Sequence, residues 1–297
     1  MKTIKPIVWM YWEGPCPSYI ELCYQTILQA CQHDFMVYRL CPSTVHHYLP
    51  LSICSLLFSS SIFHSIPQKT DLLRLSLLYY HGGVWIDSDM ICFASLKPYW
   101  DHLSTYDYVG FGCYYDTCDR IPNGSGYPAN WMMMSKAKGQ LVSMALTEAI
   151  RIVQKHPERL STSYHCLGKD LLRDCILMIR TQRPSWGYFH VLSTCVERTG
   201  KKNQKMTNRL LLTRNLSLRE IDPDCFSKRV VLPLYHTSPG FPDWFKKWSV
   251  DDLLSGDLLI CDVFRTAFTC ISSSSSSSSS FRIIDSNLSN GKGKKSM

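Results

Sequence analysis

The first forty residues alternate between strand-like and helix-like patterns of hydrophobic positions. Residues Ile7 to Tyr11 form a short apolar run, and Phe35 to Leu40 form a second. Between them, after Pro17-Ser18, apolar side chains recur at helical spacing, at Ile20, Tyr24, Ile27, Leu28 and Cys31. The pattern predicts a β–α–β start, which favours a parallel sheet with helices packed on it.

The stretch from Thr70 to Cys92 has the most informative pattern in the chain. Its first half has leucines at helical spacing, and Gly82-Gly83 is predicted to end that helix. Glycine suits this position because a helix end often needs the left-handed backbone conformation. Val84-Trp85-Ile86 then predicts a buried strand that carries Asp87-Ser88-Asp89 at its end.

Later segments predict more strands and helices of the same kind. Strands are expected at Asp107–Gly112, Asn130–Ser135 and Val230–Tyr235, and helices near Gln140–Gln154 and Lys169–Arg180. The Ser- and Leu-rich segment Tyr48–Pro67 gives no clear assignment.

The C-terminal segment has a different composition from the rest of the chain. Nine consecutive serines occupy residues 272–280, and a Gly- and Lys-rich run follows them. Such a composition cannot build a hydrophobic core, so residues 272–297 are predicted to be a disordered tail. The expected architecture is a single α/β domain over residues 1–271, with a mostly parallel sheet flanked by helices.

Composition and charge limit the classes of partner. The chain has 297 residues, 45% hydrophobic and 19% charged, which is ordinary for a soluble α/β protein. A net charge of +8 favours anionic partners such as nucleotide diphosphates, acidic glycans or a membrane surface. The basic residues are spread along the chain without an RNA-binding pattern or zinc-finger spacing, so no nucleic-acid partner is expected.

The fourteen cysteines include no Cys-x-x-Cys pair, which favours reduced thiols in a cytoplasmic protein. No signal peptide is recognised, and no run reaches the roughly 18 apolar residues that span a bilayer. We therefore expect a cytoplasmic protein whose membrane contact, if any, is peripheral, at the inner membrane face. The sequence does not indicate an oligomeric state.

Asp87 and Asp89 are the first candidates for chemistry. Residues two apart in an extended segment point the same way, so both carboxylates can face one site. They follow an apolar strand, and open α/β sheets bind ligands at the carboxyl ends of their strands. Two hard oxygen ligands suit Mn²⁺ or Mg²⁺ and leave room for substrate phosphates. The alternative is an ordinary polar strand end that leads into a turn.

Asp71 and Arg74 lie three residues apart on the preceding helix and therefore share a face. The Gly82-Gly83 turn can bring this pair toward Asp87. Arg74 could then contact sugar hydroxyls or phosphate, while Asp71 could accept hydrogen bonds from the sugar. The alternative is a surface ion pair of little energetic value.

The string from Thr70 through Asp89 closely resembles the donor-binding signature of DXD-containing glycosyltransferases. The nearest groups are the capsular polysaccharide synthesis proteins and the glycosyltransferase family 32 α-mannosyltransferase-like enzymes. Ile7–Gly14 and Pro128–Trp131 with Lys138-Gly139 also resemble these groups, so the similarity spans roughly residues 5–150. Many capsular relatives have a small or hydroxyl residue in place of Asp89, so this chain leans toward the family 32 pattern.

The resemblance implies a GT-A (Rossmann-like) fold, a divalent metal, usually Mn²⁺, and retention of anomeric configuration. It also implies a nucleotide-sugar donor, such as a UDP- or GDP-sugar, and a glycan or lipid-linked acceptor. By position, Asp71 and Arg74 would hold the donor sugar, and Asp89 would be the main metal ligand. Asp87 would contact the ribose or the metal, and Asn130 would lie near the reacting carbon. The remaining donor-binding positions would be Tyr11, Trp12 (near the base), Gly82 and Gly83.

His236 is a candidate third ligand for the metal or the diphosphate. It follows the apolar run Val230–Leu234 and precedes Pro239–Trp244, which resembles the late His…Gly…Trp segment of related retaining enzymes. The alternative is a structural histidine that only donates or accepts hydrogen bonds. Lys246 and Lys247 could add positive charge near a phosphate, or lie on a solvated surface.

Two other functions remain open at this point. A phosphohydrolase of the haloacid dehalogenase type also has Asp-x-Asp after a hydrophobic strand, and its first aspartate is a nucleophile. That motif normally comes near the start of a domain, whereas about 80 residues precede it here, and Met90 replaces the usual Thr or Val. A non-catalytic sugar or nucleotide binder is the second alternative, which the intact set of Asp71, Arg74, Asp87 and Asp89 disfavours.

Overall fold

The computed structural model describes residues 5–59, 62–112, 128–192, 230–234, 236 and 241–274. Its strands are Ile7–Tyr11 (β1), Met36–Leu40 (β2), Gly83–Ile86 (β3), Met90–Cys92 (β4), Tyr108–Gly112 (β5), Pro128–Ser135 (β6), Phe189–Leu192 (β7) and Val231–Pro233 (β8). Its α-helices are Ser18–Cys31 (α1), Leu51–Phe58 (α2), Ile66–His81 (α3), Lys97–Trp100 (α4), Gln140–Lys155 (α5), Arg159–Thr162 (α6), Lys169–Gln182 (α7), Val250–Ser255 (α8) and Leu259–Ser274 (α9).

Six strands form the main sheet in the order β2-β1-β3-β6-β5-β7. β1 pairs in parallel with both β2 and β3, and β5 pairs in parallel with β7. β6 is antiparallel to both of its neighbours, β3 and β5, so it alone in this sheet runs against the other five strands. The predicted α/β class with a mostly parallel sheet is confirmed.

The sheet lies between two layers of helices, and strand residues alternate between them. Trp9 and Trp85 face one side, in a buried cluster with residues of α3, α5 and α7. Val8 and Val84 face the other side, in a cluster with residues of α1. Because successive strand residues point to opposite faces, both faces of the central strands are apolar. This is why these strands read as continuous apolar runs in the sequence.

The turn between α3 and β3 requires glycine at two successive positions. Gly82 and Gly83 have φ angles of 66° and 101°, which other residues rarely adopt. A Cβ atom on Gly82 would lie 2.5 Å from the backbone nitrogen of Ala137, and one on Gly83 would lie 2.3 Å from the carbonyl oxygen of Ile7. The prediction that these glycines end the helix is confirmed, and they let α3 fold back tightly along β3.

A small second sheet joins two distant parts of the chain. β4 pairs antiparallel with β8, and Met90 lies opposite Pro233. Next to this pair, the backbone N–H of Leu234 donates to the carbonyl oxygen of Asp89 over 2.9 Å. β8 covers the middle of the strand predicted at Val230–Tyr235. The pairing brings His236 next to the aspartates.

Two segments differ from the sequence-based description. Helix α2 occupies part of the Ser- and Leu-rich stretch that received no assignment. Helix α9 continues to Ser274, three residues beyond the boundary predicted at residue 271, and the rest of the predicted tail lies outside the described residues. Among the helices that the structure describes, none combines the length and apolarity needed to cross a membrane.

Candidate active site

A pocket of about 380 Å³ opens where β1 and β3 end. Parallel strands end at the same edge of a sheet, which is where open α/β folds place ligands. Eight of the ten site residues predicted from the sequence line it. The lining residues are Tyr11, Trp12, Glu13, Ile66, Pro67, Thr70, Asp71, Arg74, Trp85, Asp87, Ser88, Asp89, Asn130, Tyr164, His165 and His236.

Arg74 joins the helix side of the pocket to the strand side. Its guanidinium is 3.2 Å from Oδ1 of Asp71 and 3.2 Å from Oδ1 of Asp87, and it also donates to the backbone oxygen of Asn130. The guanidinium carbon lies 5.1 Å from the centre of the Trp85 ring. Arg74 is only 5% exposed. It is therefore a buried cation that partly neutralises two carboxylates and fixes their spacing.

Asp71 is buried next to Arg74, and a second residue also contacts its carboxylate. The amide Nδ2 of Asn130 donates to Oδ1 of Asp71 over 2.7 Å. Burial raises the pKa of Asp71 to about 7, and the charge of Asp87 acts in the same direction, while Arg74 and Asn130 act against it. Asp71 is thus positioned as an oriented hydrogen-bond acceptor at the pocket wall.

Asp87 and Asp89 share the strand side of the pocket. Trp85 Nε1 donates to Oδ1 of Asp87 over 2.7 Å, and the backbone N–H of His236 donates to Oδ2 of Asp89 over 2.7 Å. Burial raises the pKa of Asp87 to about 6, with a further contribution from the charge of Asp89. Burial also raises the pKa of Asp89. Two carboxylates whose charges are so poorly compensated favour the binding of a cation.

His236 reaches the pocket from the other end of the chain. Its Nδ1 contacts the hydroxyl of Tyr19, and its ring lies edge-on to Trp12 with 5.2 Å between centroids. Burial lowers the pKa of His236, and the charge of Lys246 lowers it further, which favours the neutral imidazole. If the Tyr19 hydroxyl accepts a hydrogen bond from Nδ1–H, then Nε2 is a potential metal ligand. If the hydroxyl donates to Nδ1, then Nε2–H can donate to an anion.

The donor atoms at this site suit a metal that keeps other ligands. No group of three His, Cys, Asp or Glu side chains is arranged as a metal centre within the described ranges. The carboxylates of Asp87 and Asp89 could supply two oxygen ligands, fewer than such a cation takes. Mg²⁺ and Mn²⁺ sites of this kind are completed by substrate phosphates and water.

Gly82 and Gly83 are not brought to the pocket, which corrects their assignment as donor-binding residues. They lie at the start of β3, whereas Asp87 follows its end, and neither glycine is among the lining residues. The backbone oxygen of Gly82 instead accepts a hydrogen bond of 2.9 Å from Trp9 Nε1. Their role is to make the tight turn that positions α3.

The pocket also contains residues that the sequence patterns did not single out. Tyr164 and His165 come from the loop between α6 and α7, and Glu13 comes from the loop after β1. Glu13 forms an ion pair with Lys69 on the first turn of α3. Because Glu13 directly follows the predicted Tyr11 and Trp12, its position after the first strand could have indicated that it belongs to the site. No sequence pattern indicated Tyr164 or His165.

Gly168, which precedes α7, packs against the Asp71–Asn130 pair. A Cβ atom there would lie 2.4 Å from Nδ2 of Asn130 and 2.8 Å from Oδ2 of Asp71. We expect Gly168→Ala to lower the free energy of unfolding by about 1–3 kcal/mol, because the side chains of Asp71 and Asn130 would have to move and Arg74 holds these residues in place. Urea denaturation measures the change.

The matched control for Gly168 is Gly187→Ala, where a Cβ atom would have no neighbour within 4 Å. We expect that variant to change stability by no more than about 0.5 kcal/mol. Equal destabilisation by the two variants would contradict close packing of Gly168 on the site.

A family model described as capsular polysaccharide synthesis protein matches residues 1–167, more than half of the chain. This chain belongs to the capsular polysaccharide synthesis protein family. The match includes Asp71, Arg74, Asp87, Asp89 and Asn130, while His236 lies beyond it. The resemblance to this family is thereby confirmed, whereas the leaning toward family 32 stays a prediction. None of the curated proteins compared with this family member matches it.

Several solved structures are similar to this family member. The galactosyltransferase LgtC in complex with donor and acceptor sugar analogs has 12% identity and a TM-score of 0.42 over 90% of this chain and 95% of that one. A glycosyltransferase involved in glycosylation of the major capsid of PBCV-1 has 10% identity and a TM-score of 0.40 over 77% and 95%. Mouse xyloside xylosyltransferase 1 has 10% identity and a TM-score of 0.39 over 80% and 99%.

Proposed function

We propose that this member of the capsular polysaccharide synthesis family is a metal-dependent glycosyltransferase with a GT-A-like fold. It transfers a sugar from a nucleotide-sugar donor to a hydroxyl of a glycan or lipid-linked acceptor. The observation that carries the proposal is the joint placement of Asp87 and Asp89 with the Arg74–Asp71 pair in one pocket at the strand ends. A nucleotide sugar needs both parts: ligands for a cation on its diphosphate and polar groups for its sugar.

Asp87 and Asp89 would hold Mn²⁺ or Mg²⁺, with His236 at the edge of the same site. Their carboxylate oxygens are the ligands that these cations prefer. Their raised pKa values also mean that a cation would relieve an unfavourable concentration of negative charge. When bound, such a cation offsets the negative charge that develops on the leaving nucleotide diphosphate.

The protein's own side chains supply positioning. Arg74 presents N–H groups to the donor phosphate or sugar, and it is already held in place by Asp71 and Asp87. Asp71 accepts hydrogen bonds from sugar hydroxyls, and Asn130 fixes the orientation of Asp71 near the reacting carbon. Prearranged groups of this kind lower the barrier by orienting the reactants and stabilising developing charge.

Retention of configuration is the stereochemical outcome that we propose, from the family resemblance. Proton NMR of the product's anomeric centre checks it, and an inverted linkage would rule it out.

The contacts of Asp87 suit an aspartate that is held in place for a cation or a ribose hydroxyl. Oδ1 of Asp87 is engaged by both Arg74 and Trp85 Nε1, which leaves Oδ2 to face a ligand. A nucleophilic aspartate would use the same free oxygen to attack a phosphorus atom, so phosphatase activity has to be measured directly.

The test of the proposed function is nucleotide release from a panel of nucleotide sugars, measured with and without Mn²⁺. We expect one donor to be hydrolysed or transferred in a metal-dependent manner. Binding of a nucleotide diphosphate without any turnover would favour the non-catalytic binder. If no donor binds and phosphate monoesters are cleaved instead, the phosphohydrolase replaces this proposal.

A further inference from the structure

A second cavity of about 340 Å³, here called the side groove, adjoins the active-site pocket. Glu13 and Ile66 line both cavities, so the two lie side by side. The side groove has a mixed lining: Leu57, Phe58, Phe63 and Ile66 are apolar, and the polar lining residues are Glu13, Ser59, His64, Ser65 and Lys69. Phe58 is 40% exposed and Ile66 is 50% exposed, although both are large hydrophobic residues. A planar, apolar ligand face would cover them.

The polar edge of the side groove is an ion pair. Lys69 Nζ contacts Oε2 of Glu13, and the hydroxyl of Tyr11 donates to the same oxygen. The side chains of Glu13 and Lys69 are only 20% and 16% exposed. Oε1 of Glu13 has no hydrogen bond or ion pair with any residue that the structure describes, and an ammonium has three N–H donors. The edge therefore presents a hydrogen-bond acceptor and a donor side by side.

This edge is complementary to one nucleobase in particular. Guanine presents two adjacent donors, N1–H and N2–H, beside the acceptor O6, which matches a carboxylate next to an ammonium. Uracil presents a single N–H between two carbonyl oxygens, so a carboxylate placed there would also face an oxygen. Adenine offers only one donor beside its acceptor. Guanine alone among these can direct two adjacent donors to Oε1, the oxygen of Glu13 that Lys69 and Tyr11 leave free, while its O6 accepts from the ammonium.

We propose that the side groove binds the base of the donor and that Glu13 and Lys69 select guanine, so the donor is a GDP-sugar. This inference rests on the proposed function. The nucleoside runs from the aspartates past Glu13, while Trp12 packs against His236 on the diphosphate side. Ser65 Oγ is a further polar group of the groove, because it is buried without a hydrogen-bond partner in the described part of the chain.

The test is calorimetric titration of the full chain with GDP, UDP, ADP and CDP at a fixed concentration of Mn²⁺. We expect GDP to bind at least about 10-fold more tightly than UDP, since a hydrogen bond to a charged group discriminates by about that factor or more. Glu13→Gln should weaken GDP binding by about 10-fold or more and change UDP binding by less than about 3-fold. Lys69→Met should also reduce the preference for GDP.

The matched control is Glu21→Gln, which removes one partner of a surface ion pair with Arg39. It should leave the affinities for GDP and UDP unchanged. Thermal unfolding of each variant shows that it is folded, and Lys69→Met serves as the second variant if Glu13→Gln is not.

Each other outcome has a definite meaning. Binding of UDP or ADP as tight as that of GDP would overturn the guanine assignment and leave the glycosyltransferase proposal standing. An equal loss of GDP and UDP affinity in Glu13→Gln would show that Glu13 does not select the base. No binding of any nucleotide diphosphate would overturn the proposed function itself.

Discussion

Replacing Asp89 with alanine should reduce sugar transfer by about 10³-fold or more, which corresponds to about 4 kcal/mol of transition-state stabilisation. A cation held by Asp89 would offset the charge that develops on the leaving diphosphate, so we expect its loss to slow the chemical step as well as to weaken binding. Because burial raises the pKa of Asp89, its charge is unfavourable in the metal-free fold. The variant should therefore remain folded, and loss of turnover with unchanged thermal unfolding is the expected signature.

Turnover across a range of Mn²⁺ concentrations is the measurement for Asp89→Ala. Asp243→Ala is the control, because Asp243 is 87% exposed and pairs only with Lys246 in the described part of the chain. Full activity of Asp89→Ala without added metal would contradict a metal-binding role for Asp89. Asp89→Asn, which keeps the shape but not the charge, should lose most of the activity too.

Replacing Arg74 with methionine should, unlike Asp89→Ala, cause a large loss of stability. The change leaves the buried Asp71 and the half-buried Asp87 without their shared cation, and breaking a buried pair such as Arg74–Asp71 costs about 3–5 kcal/mol. Urea denaturation of the metal-free protein measures it. Arg151→Met is the control, since Arg151 forms an ion pair at the same i,i+3 spacing with Glu148 but is 42% exposed. That pair should contribute little.

The stability loss in Arg74→Met should be larger at pH 8 than at pH 5. Arg74 lowers the pKa of both Asp71 and Asp87, so its removal moves these folded-state values further above the unfolded ones. The folded state then binds more protons than the unfolded state, and stability falls as the pH rises between the two values. A loss that is the same at both pH values would contradict the arrangement. Adding Asp71→Asn to Arg74→Met should recover part of the stability.

The sequence predicted the parts of the fold whose signal is local. The β–α–β start, the turn at Gly82-Gly83 and the Asp87-Ser88-Asp89 strand end each depend on a few neighbouring residues. The reversed direction of β6 was not predicted, because strand direction depends on the path of a long connection rather than on an apolar run. Its consequence for the site is direct, since β6 carries Asn130 to Asp71.

The sequence predicted which residues belong to the site better than it predicted the contacts among them. Eight of ten proposed residues line the pocket, yet the bond from Asn130 to Asp71 spans 59 positions and the contact of Tyr19 with His236 spans 217. No periodicity encodes such pairs, because they arise only when distant elements pack. Gly82 and Gly83 show the converse, since they neighbour site residues in sequence and lie at the opposite end of a strand in space.

The pairing of β4 with β8 has a consequence for how the protein is made. It brings the backbone of His236 to Asp89 across 147 positions of the chain. At a synthesis rate of about 5–20 residues per second, a ribosome needs roughly 7–30 s to travel that distance. Throughout that interval the growing polypeptide already carries both aspartates and the arginine, but it lacks the N–H that bonds to Asp89 and the strand that pairs with β4. The last contacts of Asp89 can therefore form only after most of the chain has been synthesised.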